Sequence, residues 1–197
     1  KNQLFFMQQD SFVAQAIRDT LPYFVGAVSV SGGHVALTDI NDLTLGDVSA
    51  GSDFVVTSGG DVIQDTTGGK KIVVGGNTDI TAGGDITLDG PNDFKGTVNA
   101  DGQNITFNDV NDITLGDVTA GDDFKVTAGG DITQDDTGGK KITVGGNTDL
   151  TAGGDITLDG PNDFKGTVNA GGQNITFNDV NDITLGDVTA DDDFKVT

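Results

Sequence analysis

Apolar and polar residues alternate along most of this chain, in short runs separated by turn residues. In Ile113-Thr114-Leu115 and Ile142-Thr143-Val144 the two aliphatic side chains point one way and the Thr points the other. In Phe124-Lys125-Val126 the lysine takes the outward position. Period-two alternation rich in β-branched residues predicts half-buried β-strands. The Gly-Gly, Asp-Gly and Asn-Asp clusters between the runs favour tight turns, because Gly adopts positive φ and Asn and Asp bond to their own backbone.

The whole pattern recurs along the chain as a long internal repeat. Residues 41–110 and 111–180 are two full copies that differ at 11 of 70 positions, and residues 181–197 begin a third. Similar strands begin at Ile113, Ile132, Ile156 and Ile183, so that successive starts are 19, 24 and 27 positions apart. These spacings predict three coils per copy, of about 23 residues each. The partial third copy predicts that the chain is a piece of a longer array or the ordered part of one, or that chains join end to end.

Short strands at this spacing predict an all-β fold, a β-solenoid whose coils stack about 4.8 Å apart around a narrow core. A β-sandwich is the main alternative. It accounts for the frequent turns but not for a coil period inside near-identical copies.

The differences between the two copies fall into two classes. Three positions predicted to face inward keep an aliphatic residue: Leu43/Ile113, Val62/Ile132 and Ile80/Leu150. Eight positions are predicted to lie outward or in turns, and all changes of charge or polarity fall among them: Ser49/Thr119, Ser52/Asp122, Val55/Lys125, Ser58/Ala128, Ile63/Thr133, Thr66/Asp136, Val73/Thr143 and Asp101/Gly171. A closed core with a variable exterior predicts this separation.

Residues 1–40 differ from the array and contain the only Met, Arg, His and Tyr of the chain. Residues 10–18 read as a short helix with Asp10 or Ser11 near its N-cap, and residues 24–35 read as β-structure. The end coils of a solenoid expose open sheet edges that are usually covered. We therefore predict that residues 1–40 form a partly helical cap or an inter-subunit joining segment.

Three outward positions are apolar in the first copy, Val55, Ile63 and Val73, where the second copy has Lys or Thr. This shared direction of change predicts that the aromatic N-terminal segment packs on the outer face of the first copy, in the same chain or in a neighbouring one. The hypothetical interface comprises Phe5, Phe6, Phe12, Tyr23, Phe24, Val55, Ile63 and Val73.

Composition excludes several classes of function. All 31 acidic residues are Asp, against 10 basic residues, and the net charge is −21. That charge argues against nucleic acid or an anionic membrane as a partner. No apolar window is long enough to span a bilayer. The chain has no Cys, which excludes disulfides and thiolate sites, and its one histidine, His34, reads as an ordinary surface or turn residue.

The missing Glu also bears on structure. Glu is a good helix former, whereas Asp and Gly favour turns. A chain that uses only Asp as its acid places its negative charge in turns.

Calcium is the first candidate ligand, because Asp-rich and Gly-rich repeats often bind it. The nonapeptide GGxGxDxUx is absent: the chain has GGDITLDG, GGNTDLTAG and GGQNITFND instead. We predict no cofactor and at most weak Ca²⁺ binding at clusters such as Asp122-Asp123 and Asp191-Asp192-Asp193. Because the Asp residues recur with the period, as in a scaffold, we predict that the protein is not an enzyme, and a polysaccharide-active site is disfavoured. Outward Thr rows leave ice binding as a further alternative.

The strings VTAGGDITQ, LTAGGDITLDG and VNAGGQNITF resemble the repeats of filamentous-haemagglutinin-like bacterial surface adhesins and exoproteins, over residues 41–197. The resemblance implies a right-handed parallel β-helix, export to the cell surface, and a role as a stalk or filament in adhesion or biofilm. Members exported by two-partner secretion carry Asn-Pro-Asn motifs in an N-terminal domain, and none occurs here.

These observations predict an extracellular structural repeat protein at the bacterial cell surface, a rigid stalk or filament subunit. Its chains are expected to associate head to tail into filaments, with a host or cell-surface ligand as a further partner and no membrane insertion. The alternative is a ligand-binding adhesin or a calcium-binding surface protein.

Overall fold

The computed structural model describes residues 24–197 of the chain. Every strand pairing in this part is parallel. The pairings connect strands that follow one another at coil spacing, so the chain winds as a parallel β-solenoid. An antiparallel sandwich is excluded, and the predicted all-β solenoid is confirmed.

Two ten-stranded sheets form the walls of the solenoid. The first sheet contains β1 Val28–Gly32, β3 Leu43–Ala50, β5 Val62–Gln64, β6 Ile72–Val74, β8 Ile86–Phe94, β10 Ile105–Asp109, β12 Phe124–Ala128, β15 Thr148–Ala152, β17 Thr167–Gly172 and β19 Thr184–Ala190. The second contains β2 Val35–Asp39, β4 Phe54–Ser58, β7 Thr78–Ala82, β9 Thr97–Gly102, β11 Ile113–Ala120, β13 Ile132–Gln134, β14 Ile142–Val144, β16 Ile156–Phe164, β18 Ile175–Asp179 and β20 Phe194–Val196.

One coil consists of one segment from each sheet and the two turns that join them. The described residues make about nine such coils. Two strand pairs, β5 with β6 and β13 with β14, each act as one interrupted segment, because both members pair with the same neighbours.

The repeat does not contain a whole number of coils. Leu45 and Leu185 occupy equivalent places two repeats apart, and seven coils separate them. One repeat therefore spans three and a half coils, each of about 20 residues. This refines the predicted three coils of about 23 residues. Because of the half coil, equivalent strands of successive repeats lie in opposite sheets: β3 is in the first, β11 in the second and β19 again in the first.

The stacking of isoleucines explains why one repeat makes three and a half coils and not the predicted three. Ile113, Ile132 and Ile156 are stacked in register as predicted, but the next residue in this column is Ile175. Ile183, predicted to mark the next coil, lies just before β19, which is in the other sheet. Ile175 begins β18, which the four predicted strand starts do not include, and β18 is a regular member of the column.

The core is a single apolar cluster between the two sheets. Three phenylalanines from successive coils of the first sheet, Phe94, Phe107 and Phe124, stack edge to face with ring centroids 6.2 and 6.5 Å apart. The equivalent trio in the second sheet is Phe164, Phe177 and Phe194. Aromatic pairs at these distances add to the stability gained from burying their area.

The inward positions are confirmed: Leu43, Val62, Ile80 and their equivalents in the second copy are all buried. One outward prediction is wrong, since Ser58 and Ala128 are also buried. Ser58 is the fifth residue of β4 and therefore shares a face with the inward Phe54 and Val56. Its hydroxyl donates to the carbonyl oxygen of Asn41, and the carbonyl oxygen of Asp61 lies 3.2 Å away as an alternative acceptor, which satisfies it inside the core.

Part of the predicted N-terminal segment belongs to the solenoid. Strands β1 and β2, which cover most of residues 28–39, pair with β3 and β4 and make the first coil. The predicted helix at 10–18 lies outside the described residues, as does any cap formed there. Within residues 24–197, no helix combines the length and the apolar character needed to cross a membrane.

Candidate functional site

Aspartates form a ladder along each of the two edges where the chain turns from one sheet to the other. On one edge, Oδ1 of Asp42 accepts the backbone N–H of Asp61 at 3.0 Å, and Oδ1 of Asp61 accepts that of Asp85 at 2.9 Å. Oδ1 of Asp85 then accepts the backbone N–H of Asn104 at 3.0 Å. Each side chain thus satisfies a turn N–H of the next coil.

The opposite edge carries the same arrangement in the following repeat. Asp112, Asp131 and Asp155 are linked in the same way, with N–H to Oδ1 distances of 2.8 Å for both steps. The carboxyl of Asp155 accepts both the backbone and the side-chain N–H of Asn174, and these bonds lower its pKa. Asp with a single methylene fits the short distance between stacked coils, which accounts for an acidic composition without Glu.

Glycine pairs make room for these ladders. A Cβ on Gly84 would lie 2.0 Å from Oδ1 of Asp61, and a Cβ on Gly83 would lie 2.3 Å from the backbone oxygen of Gly59. The Gly-Gly-Asp string is therefore a stacking unit: the two glycines allow close approach to the previous coil, and the Asp binds the next one.

A second set of aspartates recurs once per repeat, and two of its members, Asp39 and Asp109, are buried. The carboxylate of Asp109 accepts the backbone N–H groups of Phe94 at 2.7 Å and Asn111 at 2.8 Å. Burial raises the pKa of Asp109, and the two hydrogen bonds oppose that effect. Asp39 and Asp179 occupy the same position. Asp39 accepts the N–H of Phe24, and Asp179 accepts the N–H of a phenylalanine 15 residues earlier in the chain.

The carboxylates serve the backbone rather than a metal in this arrangement. Among residues 24–197, no three His, Cys, Asp or Glu side chains converge on a point that could hold a metal ion. Weak calcium binding stays a prediction.

The most irregular surface feature is a loop of seven residues that leaves the middle of a sheet. Loop 1, residues 65–71, joins β5 to β6 in the first sheet, and loop 2, residues 135–141, joins β13 to β14 in the second. The coils that contain these loops are longer than their neighbours, and the loops hold their additional residues. Because of the half coil in each repeat, the two loops emerge from opposite faces of the rod.

An ion pair braces each loop. Nζ of Lys70 lies 2.5 Å from Oδ2 of Asp65, and Oδ1 of Asp65 accepts the backbone N–H and the hydroxyl of Thr67 at 3.0 and 2.6 Å. The ammonium of Lys70 and these bonds from Thr67 lower the pKa of Asp65 to about 2. Gly68 and Gly69 have φ values of +77° and +74°, a conformation that side-chain-bearing residues rarely adopt.

Loop 2 repeats these contacts. Lys140 pairs with Asp135, whose pKa is lowered by that lysine and by Thr137. Gly138 and Gly139 again have positive φ.

A buried pair of amides closes the gap in the sheet beneath each loop. Gln64 and Asn92 bond reciprocally, with Nε2 to Oδ1 at 2.7 Å and Nδ2 to Oε1 at 3.0 Å. Asn92 Oδ1 also accepts the N–H of Ile72, and Gln64 Oε1 accepts that of Gly90, both at 2.8 Å. The pair thus replaces the backbone partners that the sheet loses where the chain leaves it. Gln134 and Asn162 do the same beneath loop 2.

The predicted interface residues do not form one surface. Val55 is on β4 in the second sheet, whereas Ile63 and Val73 are on β5 and β6 in the first. Phe24 packs against the core, and its N–H donates to Asp39 Oδ2 at 2.7 Å. Phe5, Phe6, Phe12 and Tyr23 lie outside the described residues, so their packing stays a prediction.

Two other surface predictions can be placed. His34 lies in the turn between β1 and β2, with Nδ1 3.8 Å from Oδ2 of Asp53. The outward threonines Thr114, Thr133, Thr157 and Thr176 stack in register. Loop 2 begins directly after β13, so it protrudes from the same face as this row, which is unfavourable for a flat ice-binding surface.

Sequence reasoning missed the loops and the amide pairs beneath them. In the sequence, the loop lysines can be recognised only as residues that recur with the repeat. The spacing of 24 positions between Ile132 and Ile156, against 19 between Ile113 and Ile132, nevertheless marks the longer coil that contains loop 2. Gln64 and Gln134, at otherwise apolar inward positions, are the available signal for the buried amides.

A family model described as repeats of unknown function (DUF5649) matches residues 32–101 and 102–171, two consecutive stretches of equal length. No curated protein and no solved structure matches the chain.

Proposed function

The chain belongs to this family of repeats of unknown function, and we propose that it is a structural protein, a rigid rod that acts as a spacer or filament subunit outside the cell. The observation that carries the proposal is the pair of aspartate ladders at the two edges. They add a side-chain bond between successive coils to the backbone bonds within the sheets. Such a rod resists bending and leaves few backbone groups open to proteases.

The length of the rod is consistent with a spacer whose reach is set by the number of repeats. Nine coils at about 4.8 Å make a rod on the order of 40 Å long. Because the two copies differ at only 11 of 70 positions, adding one repeat lengthens the rod by about 17 Å without changing its cross-section.

The resemblance to haemagglutinin-type repeats supports a place at the bacterial cell surface. The TAGGDIT strings that carry the resemblance contain the Gly-Gly-Asp stacking unit. A fold stabilised by such ladders needs no disulfides, and the chain has no Cys. We propose no catalytic role, because Asp65 and Asp135, both with a lowered pKa, are equivalent members of the two repeated loops.

End-to-end association of copies is part of the proposal. In the last coil, Leu185 and Phe194 are 39% and 44% exposed, whereas the equivalent Leu115 and Phe124 are buried beneath the next coil. The described rod has one strand of each sheet at both ends, β1 with β2 and β19 with β20. A further repeat, in the same chain or in a second copy that stacks there, would continue both sheets and bury these side chains.

Electron microscopy of the purified protein over a range of concentrations tests this proposal. We expect rods of uniform width whose length grows with concentration in steps of one chain. Replacing Leu185 and Phe194 by Lys should restrict the preparation to single rods, with loosening confined to the last coil, where Phe194 also stacks on Phe177. Short rods of one length at every concentration would contradict filament formation and favour a ligand-binding adhesin instead.

A further inference from the structure

The main chain leaves the wall of the rod at loop 1 and loop 2. Within residues 24–197 the other connections between strands are turns of two to four residues. In these turns N–H groups bond to the previous coil, as that of Gly59 does to the carbonyl oxygen of Asp39 at 2.9 Å. The loops have seven residues each, and residues 66–69 and 136–139 are exposed. Exposed loop tips of small and polar residues are preferred sites of proteolysis.

Both loops end in a pair of lysines, and no other basic residues are adjacent in the sequence. The pairs are Lys70-Lys71 and Lys140-Lys141. The remaining described lysines lie inside strands β12 and β20 or in turns of two residues: Lys125, Lys195, Lys95 and Lys165. Among the described residues, a protease that recognises a lysine side chain therefore finds it on a long segment outside the sheets only at the loops.

An endoprotease needs several consecutive residues free of their own hydrogen bonds, so cleavage depends on how much of the chain must open. The carbonyl oxygen of Lys70 has a long contact with Nε2 of Gln64, at 3.4 Å. The next bond, from Lys71 to Ile72, is held more firmly. The carbonyl oxygen of Lys71 accepts the N–H of Val48 at 3.0 Å, and Ile72 is buried in β6. The bond between Lys70 and Lys71 is thus the last one that the loop can present while β6 stays in the sheet.

The ion pair within loop 1 restrains the lysine that the protease must bind. Nζ of Lys70 lies 2.5 Å from Oδ2 of Asp65, and the lysine side chain is 26% exposed. The ammonium has to leave Asp65 before it can enter a lysine-binding pocket. A partly exposed ion pair of this kind lowers the open population by a factor of about two to five. The pair therefore slows cleavage without preventing it, and Lys140 and Asp135 are placed in the same way in loop 2.

We propose that loops 1 and 2 are the sites at which an endoprotease specific for lysine cuts the rod, and that the cut rod remains in one piece. The enzyme adds water across the bond between Lys70 and Lys71. The hydroxyl goes to the carbonyl carbon of Lys70 and a proton goes to the nitrogen of Lys71. After ionisation the products are a carboxylate at Lys70 and an ammonium at Lys71. The bond between Lys140 and Lys141 is cut in the same way.

The new ammonium groups form beside existing carboxylates. The N–H of Lys71 donates to Oδ1 of Asp47 at 3.2 Å, and that of Lys141 donates to Oδ1 of Asp117 at 3.1 Å. Cleavage converts each of these N–H groups into a charged donor, and a charged donor binds a carboxylate more strongly than a neutral one. The cut state is stabilised by this attraction.

The strands on both sides of a cut stay paired with the neighbouring coils. β5 precedes loop 1 and β6 follows it, and each pairs with β3 of the previous coil and β8 of the next. The N–H of Ile72 donates to Oδ1 of Asn92, and Gln64 bonds to the same Asn92. These contacts do not involve residues 66–69, so hydrolysis in the loop leaves them in place.

The two cuts are one repeat apart. The piece between them, residues 71–140, has the length of one repeat and spans three and a half coils. Proteolysis at the loops thus turns a covalent rod into a stack of repeat-length segments, with no change in the length or width of the rod. The inference concerns a single rod and does not rest on the proposed filament function.

Limited digestion of the native chain with trypsin tests the inference, in a background with Arg18→Gln. Cuts are identified by mass spectrometry within residues 24–197, and the digested rod is examined by sedimentation velocity and circular dichroism. We expect the first cuts after Lys70 and Lys140, at least about tenfold faster than after Lys95, Lys125 or Lys165. The sedimentation coefficient and the spectrum should stay unchanged, although a denaturing gel separates the pieces.

Variants separate the roles of the ion pair and of the loop. Asp65→Asn should speed cleavage at loop 1 about two- to fivefold, with loop 2 of the same molecule as the reference. Asp93→Asn is the matched control: it releases Lys95 from an ion pair at 2.9 Å, but the N–H of Lys95 stays bonded to the carbonyl oxygen of Val74 at 3.0 Å. It should not open a cut after Lys95. Residues 24–197 should resist trypsin in the variant Lys70→Gln/Lys71→Gln/Lys140→Gln/Lys141→Gln.

First cuts after Lys95, Lys125 or Lys165 would overturn the assignment of the loops, as would loops that stay uncut when the rest of the chain is digested. A rod that separates into repeat-length pieces after cleavage would overturn the second half of the proposal. Equal rates at loop 1 with and without Asp65→Asn would refute the restraint by the ion pair. Failure of the filament proposal has a separate signature, since it concerns only growth in rod length.

Discussion

The carboxylate of Asp61 accepts a hydrogen bond from the backbone N–H of Asp85, which occupies the same turn one coil further along the rod. Asp85 in turn accepts the N–H of Asn104, so each residue is both donor and acceptor in a continuous row. The Cβ-free Gly84 allows the Asp61 carboxylate to lie against the next turn. The abundance of Asp and Gly, the geometry of the turns and the stacking of the coils at this edge therefore all follow from the repeated Gly-Gly-Asp unit.

Removal of one member of a ladder should destabilise the rod. Asp131 accepts the N–H of Asp155 and donates its own N–H to Asp112. Asp131→Ala should lower the free energy of unfolding by about 1 kcal/mol, since the N–H of Asp155 loses its acceptor. Asp131→Asn keeps an acceptor oxygen and is the control, with a smaller loss in urea titrations. Equal effects of both changes would contradict the ladder.

A methyl group at a stacking glycine should be more harmful. In Gly84→Ala the new Cβ would overlap Oδ1 of Asp61, which must move and abandon Asp85. We expect a loss of about 1–3 kcal/mol, typical of overpacking. Gly171→Ala is the matched control, because no heavy atom lies within 4 Å of its Cβ and the other copy has Asp101 at that position. Thermal unfolding that ranks the two variants equally would refute this account.

Replacement of a buried threonine by valine should stabilise the protein. Thr148 is fully buried on β15, and among the described residues its hydroxyl has no hydrogen-bond partner. Thr148→Val removes the desolvated hydroxyl at nearly constant volume and should add about 1 kcal/mol. Thr151→Val, on the exposed face of the same strand, is the control and should change stability little. A loss of stability in Thr148→Val would mean that an internal water satisfies the hydroxyl.

Acid should loosen the two loops. The pKa of Asp65 falls from 3.8 to about 2 because of Lys70 and Thr67, and that of Asp135 is lowered by the equivalent residues. A lowered folded pKa gives stability that is present above the ordinary pKa and is lost as the pH falls through the folded value. We therefore expect this contribution to disappear between about pH 4 and pH 2.

Carboxyl chemical shifts measured by NMR across this range provide the check. The resonances of Asp65 and Asp135 should titrate below the ordinary pKa of 3.8, and Lys70→Gln should return Asp65 toward that value. Asp109 serves as an internal contrast, because burial moves its pKa upward. A normal titration of Asp65 in the unmodified protein would show that the ion pair does not hold in solution.

Much of the fold is predictable because it depends on local chemistry. The alternation in Phe124-Lys125-Val126 identifies the inward face, and both Phe124 and Val126 are buried. Ser58 escapes this reasoning because a serine reads as outward, although its place in β4 is inward. The side chain is tolerated there because the carbonyl oxygen of Asn41, in the turn one coil earlier, accepts its hydroxyl proton.

The candidate surfaces are less predictable, because they depend on which coils become neighbours. Val55, Ile63 and Val73 look like one patch in the sequence, yet they face opposite sides of the rod. Gln64 and Asn92 are 28 residues apart, and their reciprocal bonds arise only when adjacent coils are stacked.

The coiled architecture, the inward face of most strands and the turn positions can be predicted without a structure, because they follow from the internal repeat, from period-two alternation and from the local preferences of Gly, Asp and Asn. The three and a half coils of one repeat, and the resulting alternation of equivalent segments between the two sheets, become visible only in the folded chain. The number of residues in a coil depends on whether the chain continues along the sheet or leaves it as a loop, as at residues 65–71 and 135–141. That choice rests on packing and on buried hydrogen bonds between residues far apart in the chain.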